Sequence, residues 1–132
     1  MMSLALSATL RTDFADAVER TRKALSDQGF GVLTEIDVTA TMKQKLDADM
    51  ENYLILGACN PSLAHAALGV DRQIGLLLPC NVVVRTDRSD AGTVIVEAMN
   101  PDVMVQVAGD PALREVADSA TEKLSAAIAA LG

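Results

Sequence analysis

Aromatic side chains are almost missing from this chain of 132 residues: it has no Trp, one Tyr and two Phe. Half of the residues are hydrophobic all the same, so the core has to be aliphatic, built from Leu, Val, Ile, Ala and Met. Basic residues are in deficit, 11 against 18 acidic ones, and the net charge of -7 repels phosphate backbones and anionic membrane surfaces. No nucleic-acid or membrane partner is therefore expected, and the acidity reads as a solubility feature. No apolar run approaches the roughly 18–20 residues needed to span a bilayer. The first ten residues carry no basic side chain, and Ser3, Ser7 and Thr9 break their apolar stretch, which is not the pattern of a secretory leader. A cytoplasmic, reducing location follows. There, two cysteines are thiols, ligands or a transient redox pair before they are a structural staple.

Other absences narrow the chemistry. With one histidine and no nucleophile elbow, no Ser-His-Asp arrangement is persuasive. No Gly-rich phosphate loop follows a strand: Gly29-Phe30-Gly31 comes after a helix and before a strand, the reverse of a dinucleotide-binding fingerprint. Linkers, low-complexity segments and repeats are also lacking, so residues 1–132 are expected to form one domain.

What is present reads as alternating helices and strands. Ser3 to Leu10 alternates apolar and small polar residues, as a half-buried strand does. Thr12 is placed to cap a helix reaching Gln28, with Phe14, Val18, Thr21 and Leu25 on one stripe and Gly29 just past its end. Val32 to Val38 alternates again, with Val32, Thr34, Ile36 and Val38 on one face and Leu33, Glu35 and Asp37 on the other. A short helix over Thr41–Asp49 and a strand over Tyr53–Ala58 follow. Asn60 then caps a helix with Pro61 at its first position, ending near Gly69. The apolar Gly75–Leu78 can pair in the sheet or form a buried turn. Valine-rich strands at Asn81–Arg85 and Thr93–Met99 are joined by a hairpin loop over Asp87–Gly92. Asn100-Pro101 opens a helical turn towards Val105. Asp110-Pro111 caps a last helix whose stripe is Leu113, Val116, Ala117, Ala120, Leu124, Ile128 and Leu131. Two long helices with one apolar stripe each need a single sheet surface to cover. The expected fold is α+β, a two-layer sandwich of a mostly antiparallel sheet with both long helices on one face.

The sharpest chemical signal is a doubled dipeptide. Both cysteines precede an asparagine, in Gly57-Ala58-Cys59-Asn60-Pro61 and in Leu78-Pro79-Cys80-Asn81-Val82, each at a junction between an apolar run and a turn. A shared site is expected if the fold brings the thiols together. Cys59 precedes a helix start, where backbone N–H groups stabilise a thiolate, so it is expected to be the more reactive of the two. Twenty residues separate them, which is neither a Cys-x-x-Cys redox motif nor a zinc knuckle. With His65 they make a three-ligand metal set, although His65 stands more than a helical turn beyond the cap. Asn60 and Asn81 can orient a ligand by hydrogen bonds, and Glu35 with Asp37 can hold a cation or act as acid and base. Each has an ordinary reading beside it: small buried hydrophobe for a cysteine, helix cap for Asn60, wet edge-strand face for the carboxylates. Met99 and Met104 are soft donors by chemistry and core filling by habit.

Three blocks carry a resemblance: Gly29-Phe30-Gly31-Val32-Leu33-Thr34-Glu35-Ile36-Asp37-Val38, Gly57-Ala58-Cys59-Asn60-Pro61, and Gly75 to Val84. By these the chain resembles the bacterial domain-of-unknown-function family 302 over nearly its whole length. The resemblance implies a small α+β fold and a homodimer, and brings no settled activity or cofactor. Glu35, Asp37, Cys59, Asn60, Pro61, Pro79, Cys80 and Asn81 fall in the matching blocks and mark the expected site. Three functions stand open: a small-ligand or metal-binding module, a cysteine-dependent thiol or sulfur-transfer enzyme, and a dimeric interaction protein without a small-molecule site. The first leads, because no general base accompanies the thiols.

Overall fold

The computed structural model describes residues 3–132. The chain runs β1 (Ala5–Leu10), α1 (Phe14–Asp27), β2 (Gly31–Asp37), α2 (Val38–Leu46), β3 (Tyr53–Cys59) and α3 (Pro61–Val70). A 3-10 helix over Arg72–Leu77 leads into β4 (Cys80–Asp87) and β5 (Asp90–Met99), and α4 (Asp102–Ala108), a 3-10 turn and α5 (Arg114–Ala129) complete it. The five strands form one sheet in the order β1-β5-β4-β3-β2, and every neighbouring pair is antiparallel. The long helices α1 and α5 cover one face. Ala17, Ala24 and Leu25 of α1 and Leu124, Ala127 and Ile128 of α5 share a core with Leu54, Leu56, Val82, Val84, Val94 and Val96 of the sheet. The α+β sandwich expected from the two apolar stripes is the fold found. Burial alternates over Tyr53–Leu56 of β3, Asn81–Arg85 of β4 and Val94–Met99 of β5, the mark of a sheet covered on one side. Among the described residues no helix is long and apolar enough to cross a membrane.

Local chemistry sets most boundaries, and it moves several expected ones. The N-cap of α1 is Asp13, not Thr12: its carboxylate accepts the N–H of Asp16 at 2.7 Å, while the Thr12 hydroxyl donates to the Asp16 side chain. Gly29 takes φ +84, the left-handed conformation that lets the chain turn from α1 into β2. The second helix starts three residues earlier than expected, because the Asp37 carboxylate accepts the Ala40 N–H at 2.9 Å and caps it there. Asn60 and Pro61 start α3 as the sequence indicated, with Asn60 Oδ1 accepting the Leu63 N–H. The Gly75–Leu78 stretch is not a strand; Gly75–Leu77 are the second half of the 3-10 helix, which buries Ile74 against a second cluster. The hairpin is tighter than expected. Asp87 pairs with Asp90, so only Arg88 and Ser89 make the turn.

The largest correction concerns β2. Val32 pairs with Ala58 and Thr34 pairs with Gly57, so Leu33 is an extra residue, a bulge. Side-chain direction alternates only while pairing is regular, and the bulge inverts it. Beyond Leu33, Glu35 and Asp37 stand opposite Leu56 and Leu54, on the helix-covered side, while Thr34 and Ile36 face the open side with Ile55. The single-face set Val32, Thr34, Ile36 and Val38 read from the sequence therefore does not exist.

Candidate functional site

A second, smaller core lies beyond the end of the sheet, made of Ala67 from α3, Ile74 from the 3-10 helix, Met104 from α4, and Leu113 and Ala117. Between it and the main core the helices and sheet leave an open apolar cavity of about 330 Å³. The ends of β3 and β4 supply Ala58, Cys59, Pro79 and Cys80 to its wall. Helix α3 gives the i, i+3, i+4 stripe of Ala64, Ala67 and Leu68, and α5 gives Val116 and Ala120. The α1–β2 turn and the bulge add Phe30 and Leu33. Among the described residues no charged side chain lines it; Asn60 and the two thiols are the polar side chains there, and the Asn60 Oδ1 is already engaged in capping α3. Among the described residues no buried side-chain nitrogen or oxygen lacks a hydrogen-bond partner. The wall therefore holds no stranded polar atom that would ask a ligand for a charge.

Both cysteines belong to this wall, but the fold does not bring them together as the close pair that a shared thiol site requires. The sheet sets Cys80 opposite Ala58 and Cys59 opposite Gly31. Successive residues of a strand point to opposite faces, so the one-residue offset sends Cys80 to the helix-covered side with Val82 and Val84, and Cys59 to the other. Neither is in a disulfide. Burial, with the Cys59 charge as a smaller cause, pushes the Cys80 thiol up to about 11. Desolvation disfavours the thiolate, and at neutral pH Cys80 is a small uncharged wall residue.

The other candidates are dispersed. His65 is exposed on α3 and takes no part in the wall, because it lies about a quarter-turn of helix from Ala64. Among the described residues no group of three or more His, Cys, Asp and Glu side chains could hold a metal ion, so the set Cys59, Cys80 and His65 is not assembled. Asn81 is exposed on the open face, opposite Gly57. Glu35 forms an ion pair with Arg22 of α1, and Asp37 caps α2, which gives both carboxylates local structural partners outside the cavity. Sequence reasoning missed Phe30, Leu63, Leu68, Leu78 and Val116 as wall residues. They are ordinary aliphatic or aromatic positions, and no local pattern distinguishes a cavity wall from a filled core.

One position shows how closely this end of the sheet is built. A Cβ on Gly57 would come 2.1 Å from Thr34 Oγ1 and 2.8 Å from Pro79 Cγ. Glycine there lets the bulged edge strand and the Pro79 ring close over β3 just before the cysteine.

Three comparisons bear on this arrangement. The family model described as "Domain of unknown function DUF302" matches residues 6–131. Among solved structures, that of an uncharacterized conserved protein DUF302 from Bacillus stearothermophilus is 29% identical in sequence, covering 99% of this chain and 100% of that one, with a TM-score of 0.90. No curated protein matches the chain.

Proposed function

The chain belongs to the DUF302 family, and from that premise we propose that it is a binding module for a small apolar ligand, with the cavity at the end of the sheet as its site and Cys59 and Cys80 in the wall. The observation that carries this reading is a cavity of about 330 Å³, lined among the described residues without a charged side chain and placed between two separate hydrophobic clusters. Its size falls in the range of small-molecule pockets, and an apolar lining with a few polar groups is what such pockets share. The metal form of the binding idea is set aside, since Cys59, Cys80 and His65 are not gathered. Sulfur-transfer or thiol catalysis is weaker than binding because the one imidazole, His65, is exposed and outside the wall. Free thiols agree with a cytoplasmic location.

Filling the cavity tests the reading. Ala64 is half-buried and lines it, so Ala64→Phe places a ring in the space. A neutral apolar dye such as Nile red is expected to bind the native protein and to lose affinity about tenfold or more in Ala64→Phe, a loss of ~1.4 kcal/mol, with the circular dichroism spectrum unchanged. Equal dye binding by both proteins would overturn the assignment of this cavity as the site.

We also propose that two copies associate through the open face of the sheet. That face carries Ile36, which is 50% exposed, with Ile55, Val83 and Ile95 beside it, and its Arg85 and Glu97 neutralise each other at 2.9 Å. A pair related by a two-fold axis would bury this apolar surface without bringing unpaired charge into the interface.

A further inference from the structure

Sulfur is concentrated at the cavity. The described chain has six sulfur-bearing side chains, Met42, Met50, Cys59, Cys80, Met99 and Met104, and the last four all line this one wall. The chain offers them almost no aromatic partner of its own, since its aromatic residues are Phe14, Phe30 and Tyr53 and only Phe30 reaches the cavity. Divalent sulfur is polarisable and makes favourable contacts with the edge of an aromatic ring, contacts that a saturated ligand cannot return. Phe30 adds a ring that can meet another ring edge to face. A fixed charge on the ligand would be desolvated without a partner, because the described residues of the wall hold none. The Cys80 thiol is itself uncharged at neutral pH.

We propose that the cavity takes an uncharged aromatic molecule, recognised through the sulfur-bearing side chains in its wall, with Met99 and Met104 as the principal ring contacts. The inference rests on the ligand-binding reading above and names the chemical class of that ligand. Two classes of molecule are thereby disfavoured: saturated hydrocarbons of the same shape, which lose the sulfur–ring contacts, and aromatic carboxylates, which bring an unpaired charge.

The test compares three probes that share one two-ring skeleton: naphthol, decahydronaphthol and naphthoate. Naphthol binding is followed by its own fluorescence, and the other two by its displacement. Naphthol is expected to bind at least about threefold more tightly than decahydronaphthol and more than about tenfold more tightly than naphthoate. Burial of apolar area alone gives the opposite order for the first pair, because the saturated skeleton is the larger and more hydrophobic. Met99→Leu with Met104→Leu keeps the wall apolar and nearly the same in volume. It is expected to weaken naphthol about threefold or more and to leave decahydronaphthol unchanged, whereas Met42→Leu, away from the cavity, leaves both unchanged. Decahydronaphthol binding as well as naphthol in the native protein overturns the aromatic assignment and leaves the cavity reading standing. Naphthol bound equally by the native protein and by Ala64→Phe overturns the cavity reading itself. The native comparison needs no sulfur-deleted variant, so a double variant that fails to fold does not remove the test.

Discussion

Cys80 shows how one step of register decides what a residue can do. It sits opposite Ala58 on the helix-covered side, and burial raises its thiol to about 11. This value lies above the 9.0 of an ordinary thiol, so the fold favours the protonated form. The sign follows directly. The stabilisation is complete below the unfolded value near 9 and is lost as pH rises through about 11, because the unfolded chain ionises first. Alkylation with iodoacetamide, read by peptide mass spectrometry across pH, is expected to modify Cys59 before Cys80 at neutral pH. The Cys80 rate should reach half its maximum near 11, and a Cys80 profile centred near 9 would contradict the burial argument.

At the scale of the element, the bulge in β2 is the feature with most consequence. It moves Glu35 and Asp37 to the helix side, where one meets Arg22 and the other caps α2, and it leaves Leu33 69% exposed at the cavity rim. It also sets Thr34 against Gly57. A glycine inside a strand normally weakens it, so replacing one with alanine normally helps. Here the added methyl would meet Thr34 Oγ1 and the rigid Pro79 ring. Gly57→Ala is therefore expected to destabilise by roughly 1–3 kcal/mol, the usual cost of overpacking, as measured by urea unfolding. Thr34→Ala removes the nearer of the two obstacles, and the double variant Gly57→Ala with Thr34→Ala should recover part of the loss. A stabilised or unchanged Gly57→Ala would mean that the β2–β3 approach is looser than the geometry gives.

The whole molecule is a one-sided sandwich with a second small core attached to the end of its sheet. Helix α5 joins the two, giving Ala117 to the small core and Leu124, Ala127 and Ile128 to the large one, and the cavity opens between them. The uncovered sheet face remains, with Ile36, Ile55, Val83 and Ile95 upon it. Light scattering at micromolar concentration is expected to give a dimer, and Val83→Lys, which adds a second positive charge beside the balanced Arg85–Glu97 pair on that face, a monomer. A monomeric native protein would remove the open face as an interface. An apolar sheet face left without cover is uncommon in a lone chain, and large exposed apolar patches mark contact sites.

The sequence by itself determined the order and kind of the elements, because caps and periodicity act over a few residues. Asn60-Pro61 begins α3, Gly29 turns the chain after α1, and the stripes of α1 and α5 require a single sheet surface. It also determined an aliphatic core and a negative surface, and its blocks around Gly29, Gly57 and Gly75 pointed to the family to which the chain belongs. Only the tertiary structure decided which face each residue of β2 presents, because a bulge arises from pairing with β3 and leaves no mark in an alternating pattern. The same holds for the cysteines. Their matching Cys-Asn contexts suggested one shared thiol site, yet register between β3 and β4 offsets them by one residue and turns them to opposite sides. The cavity wall is drawn from residues as far apart as Phe30 and Ala120, and a gap between two packed clusters is a property of how whole elements meet, which short-range pattern does not encode.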